Sequence, residues 1–277
     1  MKPNIINYFT KKFNMPFLAL LSIVLITFVN CTDEDQTVTE LTNLVMSDEF
    51  NADGVPNKAL WSYDIGTGES GWGNNELQYY TSRPENVRVE NGMLLITAIK
   101  EDFNGASYTS ARLITKGKFE QAYGRFEARM RLPYGQGLWP AFWLLGADVD
   151  DNPLPDAGKI GIMEYRGQNP NIAISSLHGP GYYGGGAFRV NYQLENDRFD
   201  TGFHIFGIEW GPEYINYYID NVLYTRITPQ QVNGSWVFNK PFFIVINLAI
   251  GGNFIGSPNS ETVFPQTMLV DYVKVYN

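Results

Sequence analysis

One cysteine and two histidines are spread over 277 residues. Cys31 alone can close no internal disulfide and cannot anchor a Cys-rich zinc site. His178 and His204, separated and without Cys, form no transition-metal ligand cluster. Basic residues are scarce as well: 20 Lys+Arg face 29 Asp+Glu, a formal charge of −9. That balance disfavours nucleic-acid phosphates as a bulk electrostatic partner. No apolar run reaches the roughly 20 residues of a membrane-spanning helix. Against these absences, 44% of the chain is apolar and 15% aromatic, with 27 Gly and 15 Pro. This composition can bury a core and favours strands and turns over helices.

The N-terminus carries Lys2, Lys11 and Lys12 ahead of a 13-residue apolar stretch, residues 17–29. A basic start before a short apolar run reads as an export signal over residues 1–30. Cys31 follows directly and precedes Asp33, Glu34 and Asp35. This resembles a bacterial lipoprotein signal in which Cys31 is the lipidated first residue, placing the protein at the outer membrane. Phe28 and Asn30 stand where small residues are usual, and an ordinary cleaved signal with a secreted or periplasmic product is the alternative. Residues 1–30 contain three Lys and no acid, so 17 Lys+Arg face 29 Asp+Glu beyond them, a charge of −12. Residues 31–43 are polar, acidic and aperiodic, the composition of a flexible tether.

Residues 44–277 read as one all-β domain. Arg125 to Leu132 alternates charged and apolar residues with period two, the pattern of a half-buried strand. Further strand candidates run over residues 93–99, 113–115, 203–210, 215–219, 242–250 and 269–276. Asp220-Asn221 lies between Tyr217-Tyr218-Ile219 and Val222-Leu223-Tyr224 as a hairpin turn. Many short strands without a long helical stripe predict a sandwich or barrel, and the length suits a two-sheet jelly roll of a dozen or more strands.

Several segments combine Trp with Gly and side-chain amides: residues 71–78 (GWGNNELQ), 137–143 (GLWPAFW), 178–183 (HGPGYY) and 247–254 (NLAIGGNF). Core packing explains an apolar strand but not Trp set among Gly, Asn and Glu. Aromatic rings can lie on the C–H faces of sugars while polar side chains take the hydroxyls. A groove with both suits an oligosaccharide.

On these segments, with Phe203 to Trp210 and the run from Val270 to Tyr276, the chain resembles glycoside hydrolase family 16, in particular its bacterial laminarinase-like endo-β-1,3-glucanases. The resemblance starts at Ser47-Asp48-Glu49-Phe50. It implies a β-jelly-roll sandwich of two antiparallel sheets, the concanavalin A-like lectin/glucanase fold, with a cleft for β-glucan. It implies a catalytic strand Glu-x-Asp-x-x-Glu of nucleophile, assisting Asp and general acid/base. Here that strand is Lys159-Ile160-Gly161-Ile162-Met163-Glu164. Lys159 holds the nucleophile position, Gly161 the assisting position, and only Glu164 is retained. On a strand, 159 and 161 share a face, and Glu164 joins them only if a bulge absorbs one residue near Ile162-Met163.

A retaining glycosidase needs two carboxyl groups roughly 5–5.5 Å apart. An ammonium at the first position cannot attack the anomeric carbon, and it favours the ionised form of Glu164, whereas an acid catalyst must hold a proton. The expectation is glucan recognition with little or no retaining hydrolysis. Two alternatives stay open. One is an active hydrolase with Glu164 as acid and a second carboxylate from Asp156 or Glu76. The other is a structural lipoprotein without glycan affinity.

By the same resemblance Asn75, Glu76, Arg112, Trp139, Trp143 and His178 match glycan subsite positions. Each could equally serve the fold: Arg112 as a strand-face charge, His178 as a satisfied structural histidine, the Trp rings as core. Phe254-Ile255 replaces the family's usual Trp-Pro. A structural calcium is implied at Asp271, with Glu49 and Gly92 as carbonyl donors; the chemistry itself needs no cofactor. Asp271 could instead be a plain hydrogen-bond acceptor.

Overall fold

Alternation in Gly124–Arg131 sends Phe126, Ala128 and Met130 into the interior, where each is fully buried. The computed structural model describes residues 41–277. The export signal over 1–30, Cys31 and most of the 31–43 tether lie outside the described residues. Among the described residues no helix is long and apolar enough to cross a membrane.

Among the described residues eighteen strands form two sheets, one of ten strands and one of eight. Pairing is antiparallel except where Gln78–Tyr80 runs parallel to Ala106–Ser110. The ten-stranded sheet centres on Met93–Phe103, Gly124–Arg131, His204–Gly211 and Gln266–Tyr276. In the eight-stranded sheet the order is Phe188–Gln193, Ile172–His178, Lys159–Tyr165, Leu138–Gly146, Phe242–Ile250, Arg112–Ile114 and Ser62–Tyr63, with Glu120–Gln121 also paired to Phe242–Ile250. Phe126, Phe206 and Val273 from one sheet and Phe142, Ile160 and Ile246 from the other belong to a single buried cluster between them. This is the layered sandwich expected for a chain of amphipathic strands.

The Asp220-Asn221 turn has φ of 51° and 64°, the left-handed pair that a two-residue hairpin loop requires. Pro140 lies within a central strand, a position that usually costs a ladder hydrogen bond. It faces Leu248 on one side, and pairing to Lys159–Tyr165 begins only at Ala141. The charged face of Gly124–Arg131 is less exposed than alternation suggests. Arg125 and Glu127 are both buried, joined Nε to Oε2 at 2.8 Å, and Tyr218 OH donates to the neighbouring Glu209 at 2.7 Å.

Candidate active site

Period two along Leu138–Gly146 turns Leu138, Phe142 and Leu144 into the core and Trp139, Ala141, Trp143 and Leu145 to the opposite face of the sheet. Asn247 on the adjacent strand stands on that same outer face and accepts from Trp143 Nε1 at 2.8 Å. On the other flank, Gly161 pairs with Ser176 but Glu164 pairs with Ile174. Three steps on one strand match two on its neighbour, so one extra residue is absorbed at Ile162-Met163. The bulge brings Glu164 to the face that carries Lys159 and Gly161. His178 lies opposite Lys159 in the register.

These side chains floor a cleft of about 540 Å³, within the usual range for a small-ligand site. Glu76, Arg112, Trp139, Trp143, Lys159, Glu164 and His178 all line it. Gly161 lies beneath: a Cβ there would run into Ser176 Oγ. Asn75 does not line the cleft; its Nδ2 turns to Asn253 Oδ1 at 3.2 Å, and Asn74 takes the lining position. The cause is local. Ser70, Gly71, Trp72, Gly73 and Asn75 all have φ between 49° and 78°, and this left-handed coil reverses which amide faces inward. A run of non-glycine residues at positive φ is costly backbone of the kind found at ligand sites. It sets the Trp72 ring 5.6 Å from Tyr80 and under the Arg112 guanidinium at 4.6 Å.

Lys159 Nζ donates to Glu164 Oε1 at 2.5 Å, and Ser176 Oγ donates to Oε2 at 3.1 Å. Both carboxylate oxygens are therefore engaged as acceptors. Burial pushes the Glu164 pKa up, but the Lys159 charge and the two hydrogen bonds outweigh it, and the group is held below its usual 4.5. Glu76 behaves oppositely. Burial dominates and raises its pKa, despite hydrogen bonds from Gln78 at 2.8 Å and Tyr80 at 3.3 Å and the charge of Arg112. Arg112 itself is ion-paired to Asp64 at 2.9 Å and also lies 4.9 Å from the Trp143 ring centre. Lys159 Nζ lies 4.8 Å from that ring centre. Asp156 does not line the cleft; its backbone carbonyl accepts from Lys240.

Burial, then the Lys159 charge, pulls the His178 pKa from 6.5 down to about 3. The ring is neutral in the fold at neutral pH. The unfolded chain takes up this proton first as pH falls, so stability is full above 6.5 and declines towards about 3. One such group contributes a slope of up to about 1.4 kcal/mol per pH unit. His178→Asn is expected to show a shallower loss of denaturant midpoint over that window than the parent chain.

Sequence reasoning missed Ser176, Arg166 and Arg189. Ser176 could have been found two residues before His178, on the same strand face. Arg166 follows the bulged strand and Arg189 follows the Gly184–Gly186 turn, neither with a periodic signal. On the other sheet, Asp271 Oδ2 accepts from Arg129 Nη1 at 2.7 Å, and Glu49 pairs with Lys274 at 2.9 Å. Gly92 occupies the turn before Met93–Phe103 with φ of 73°. Among the described residues no three His, Cys, Asp or Glu side chains converge. Arg129 thus engages one of the two oxygens of the Asp271 carboxylate.

A two-sheet β-sandwich with a Trp-lined cleft, built over a bulged strand that carries one buried glutamate, defines a glycoside-hydrolase-type scaffold. Residues 74–274 match the sequence profile of Glycosyl hydrolases family 16. The chain belongs to that family. It is 42% identical over 249 residues to a Beta-glucanase of Rhodothermus marinus, covering 84% of each chain. Clotting factor G alpha subunit of Tachypleus tridentatus is 37% identical over 234 residues, which span 84% of this chain but 34% of that protein. Among solved structures, the catalytic domain of an endo-1,3-beta-glucanase (laminarinase) from Thermotoga petrophila RKU-1 superposes with a TM-score of 0.81 at 42% identity, covering 84% of this chain and 97% of that one.

Proposed function

We propose that the chain captures β-1,3-glucan of the laminarin type in this cleft and does not cleave it by retaining hydrolysis. The observation that carries the reading is the Lys159–Glu164 pair at 2.5 Å. An ammonium occupies the position from which a carboxylate would attack, and it holds the remaining glutamate ionised. Double displacement needs one carboxylate to bond to the anomeric carbon while a second carboxyl gives its proton to the leaving oxygen. Lys159 and Glu164 supply neither role. Trp139 offers an apolar face for a sugar ring, Trp143 is buried against Arg112 and Lys159, and Glu76, Arg112 and His178 supply polar partners for hydroxyls. Relatives named as β-glucanases and a laminarinase support the choice of glycan. Export with a lipid anchor at Cys31 completes the proposal, supported by the basic, short-apolar leader.

Retarded migration of the protein in gels containing laminarin, weakened for Trp139→Ala of equal melting temperature, is the expected result. Unretarded migration of the wild-type chain would reject glucan capture.

A second reading rests on Glu76. It lines the same cleft with a raised pKa, as an acid catalyst requires. In an inverting reaction Glu76 would protonate the leaving oxygen and Glu164 would activate water, the reverse of the role first expected for Glu164.

A further inference from the structure

The charges around the cleft do not cancel. Glu164 is answered by Lys159 and Arg112 by Asp64, while Glu76 adds one further carboxyl in the field of Arg112 and Lys159. Arg166 and Arg189 also line the cleft, and among the described residues neither forms an ion pair with a carboxylate. Both guanidinium groups lie against Phe254, at 4.3 and 5.9 Å from the ring centre. Arg189 donates to the carbonyls of Gly184 and Gly185 at 2.6 and 3.3 Å, which orients the group without neutralising it. The Nε atoms of both arginines are buried and without hydrogen-bond partners.

Trp72 Nε1, Asn74 Nδ2 and Trp139 Nε1, also on cleft residues, are orphaned in the same way. Both ring nitrogens of His178 are orphaned too, one donor and one acceptor in the neutral ring; the five above are all donors, and arginine and indole N–H groups can never accept. Buried donors left unpaired are costly and rare in native proteins. A ligand that satisfies them must be rich in acceptors. A sugar hydroxyl can accept, but it also brings a proton that needs an acceptor of its own. An anionic oxygen only accepts, and it pairs with guanidinium in short, charge-assisted bonds.

We propose that the glycan taken by this cleft carries anionic substituents, sulfate esters or carboxylates, that dock on Arg166 and Arg189 beside Phe254. The inference rests on the reading of the cleft as a glycan site and narrows the class of glycan. The overall negative charge of the chain does not oppose it at contact range, because charges more than about 8 Å away are screened at physiological ionic strength.

The test is titration calorimetry of the wild-type chain with one β-1,3-glucan oligosaccharide in three forms: unmodified, sulfated, and oxidised to the C6 carboxylate. At least one anionic form is expected to bind roughly tenfold more tightly than the neutral form, the size of one charge-assisted bond. The advantage should shrink in about 0.5 M salt. In Arg166→Gln and Arg189→Gln the ratio of anionic to neutral affinity should fall towards one. The preferred anion assigns sulfate or carboxylate as the docking group. Binding of the neutral form with no gain for either anion overturns this inference and leaves glucan capture standing. Binding of none of the three overturns both. Binding of anionic forms alone supports the inference and replaces laminarin as the proposed ligand. The wild-type comparison and its salt dependence decide the matter even if a variant fails to fold.

Discussion

Lys159→Glu combined with Gly161→Asp is expected to raise laminarin hydrolysis on the order of 10²-fold or more above the parent chain, the usual scale of a positioned acid–base group. The bulge at Ile162-Met163 already puts positions 159, 161 and 164 on one face. The carboxylate introduced by Lys159→Glu would stand where Lys159 Nζ now reaches Glu164. Two carboxyl groups in contact cannot both ionise easily, so Glu164 would regain a proton. Gly161→Asp has one local obstacle, the Ser176 hydroxyl, which would have to rotate away from the new Cβ and release Glu164 Oε2. Adding Ser176→Ala should therefore increase the restored rate further. Reducing-sugar release, with Glu164→Gln introduced into the same background as control, measures it. A folded, glucan-binding double mutant with no hydrolysis above the parent chain would reject the proposal that positions 159 and 161 limit the reaction.

The second large effect is on stability. Lys159→Met should cost about 3–5 kcal/mol, because it leaves a buried carboxylate uncompensated. At this chain length that corresponds to roughly 2–4 °C of melting temperature per kcal/mol. The pH dependence separates this from a simple packing loss. In the parent chain the folded pKa of Glu164 is depressed, so its contribution is present above the ordinary 4.5 and is lost as pH falls through the folded value. Without Lys159, burial is largely unopposed and raises the folded pKa. The penalty is then largest near neutral pH and is relieved on acidification. The gap between parent and Lys159→Met should narrow from pH 7 to pH 4. Lys159→Met/Glu164→Gln should recover most of the loss at pH 7. A gap that widens on acidification would mean that Lys159 does not hold Glu164 ionised.

Much of this arrangement was readable from residue order. The two-residue alternation of Arg125 to Leu132 and the Asp220-Asn221 turn gave strands and a hairpin, because side-chain period and left-handed φ are local properties. The spacing from Gly161 to Glu164 demanded a bulge, and the strand register supplies it. What pattern could not show were contacts between strands far apart in sequence. Arg125 and Glu127 look like solvent-facing charges, yet Glu209 and Tyr218 from neighbouring strands help to bury them. Ser176 at the Cβ position of Gly161 depends on the pairing of two strands. Asn74 rather than Asn75 faces the cleft because five residues between Ser70 and Asn75 adopt positive φ, and Trp72 and Ser70 give no sequence signal for that conformation. Arg166, just past the end of Lys159–Tyr165, and Arg189, on Phe188–Gln193, come together at Phe254.

The decisive measurement is chromatographic product analysis of laminarin after prolonged incubation with purified wild-type protein, run beside Glu164→Gln and with the anomer of any product assigned by NMR. A cleft in which Glu164 is tied to Lys159 should release no oligosaccharide above the Glu164→Gln background. Oligosaccharides that accumulate with the wild-type chain and vanish with Glu164→Gln would contradict it, and inverted anomers among them would assign the reaction to Glu76 and Glu164.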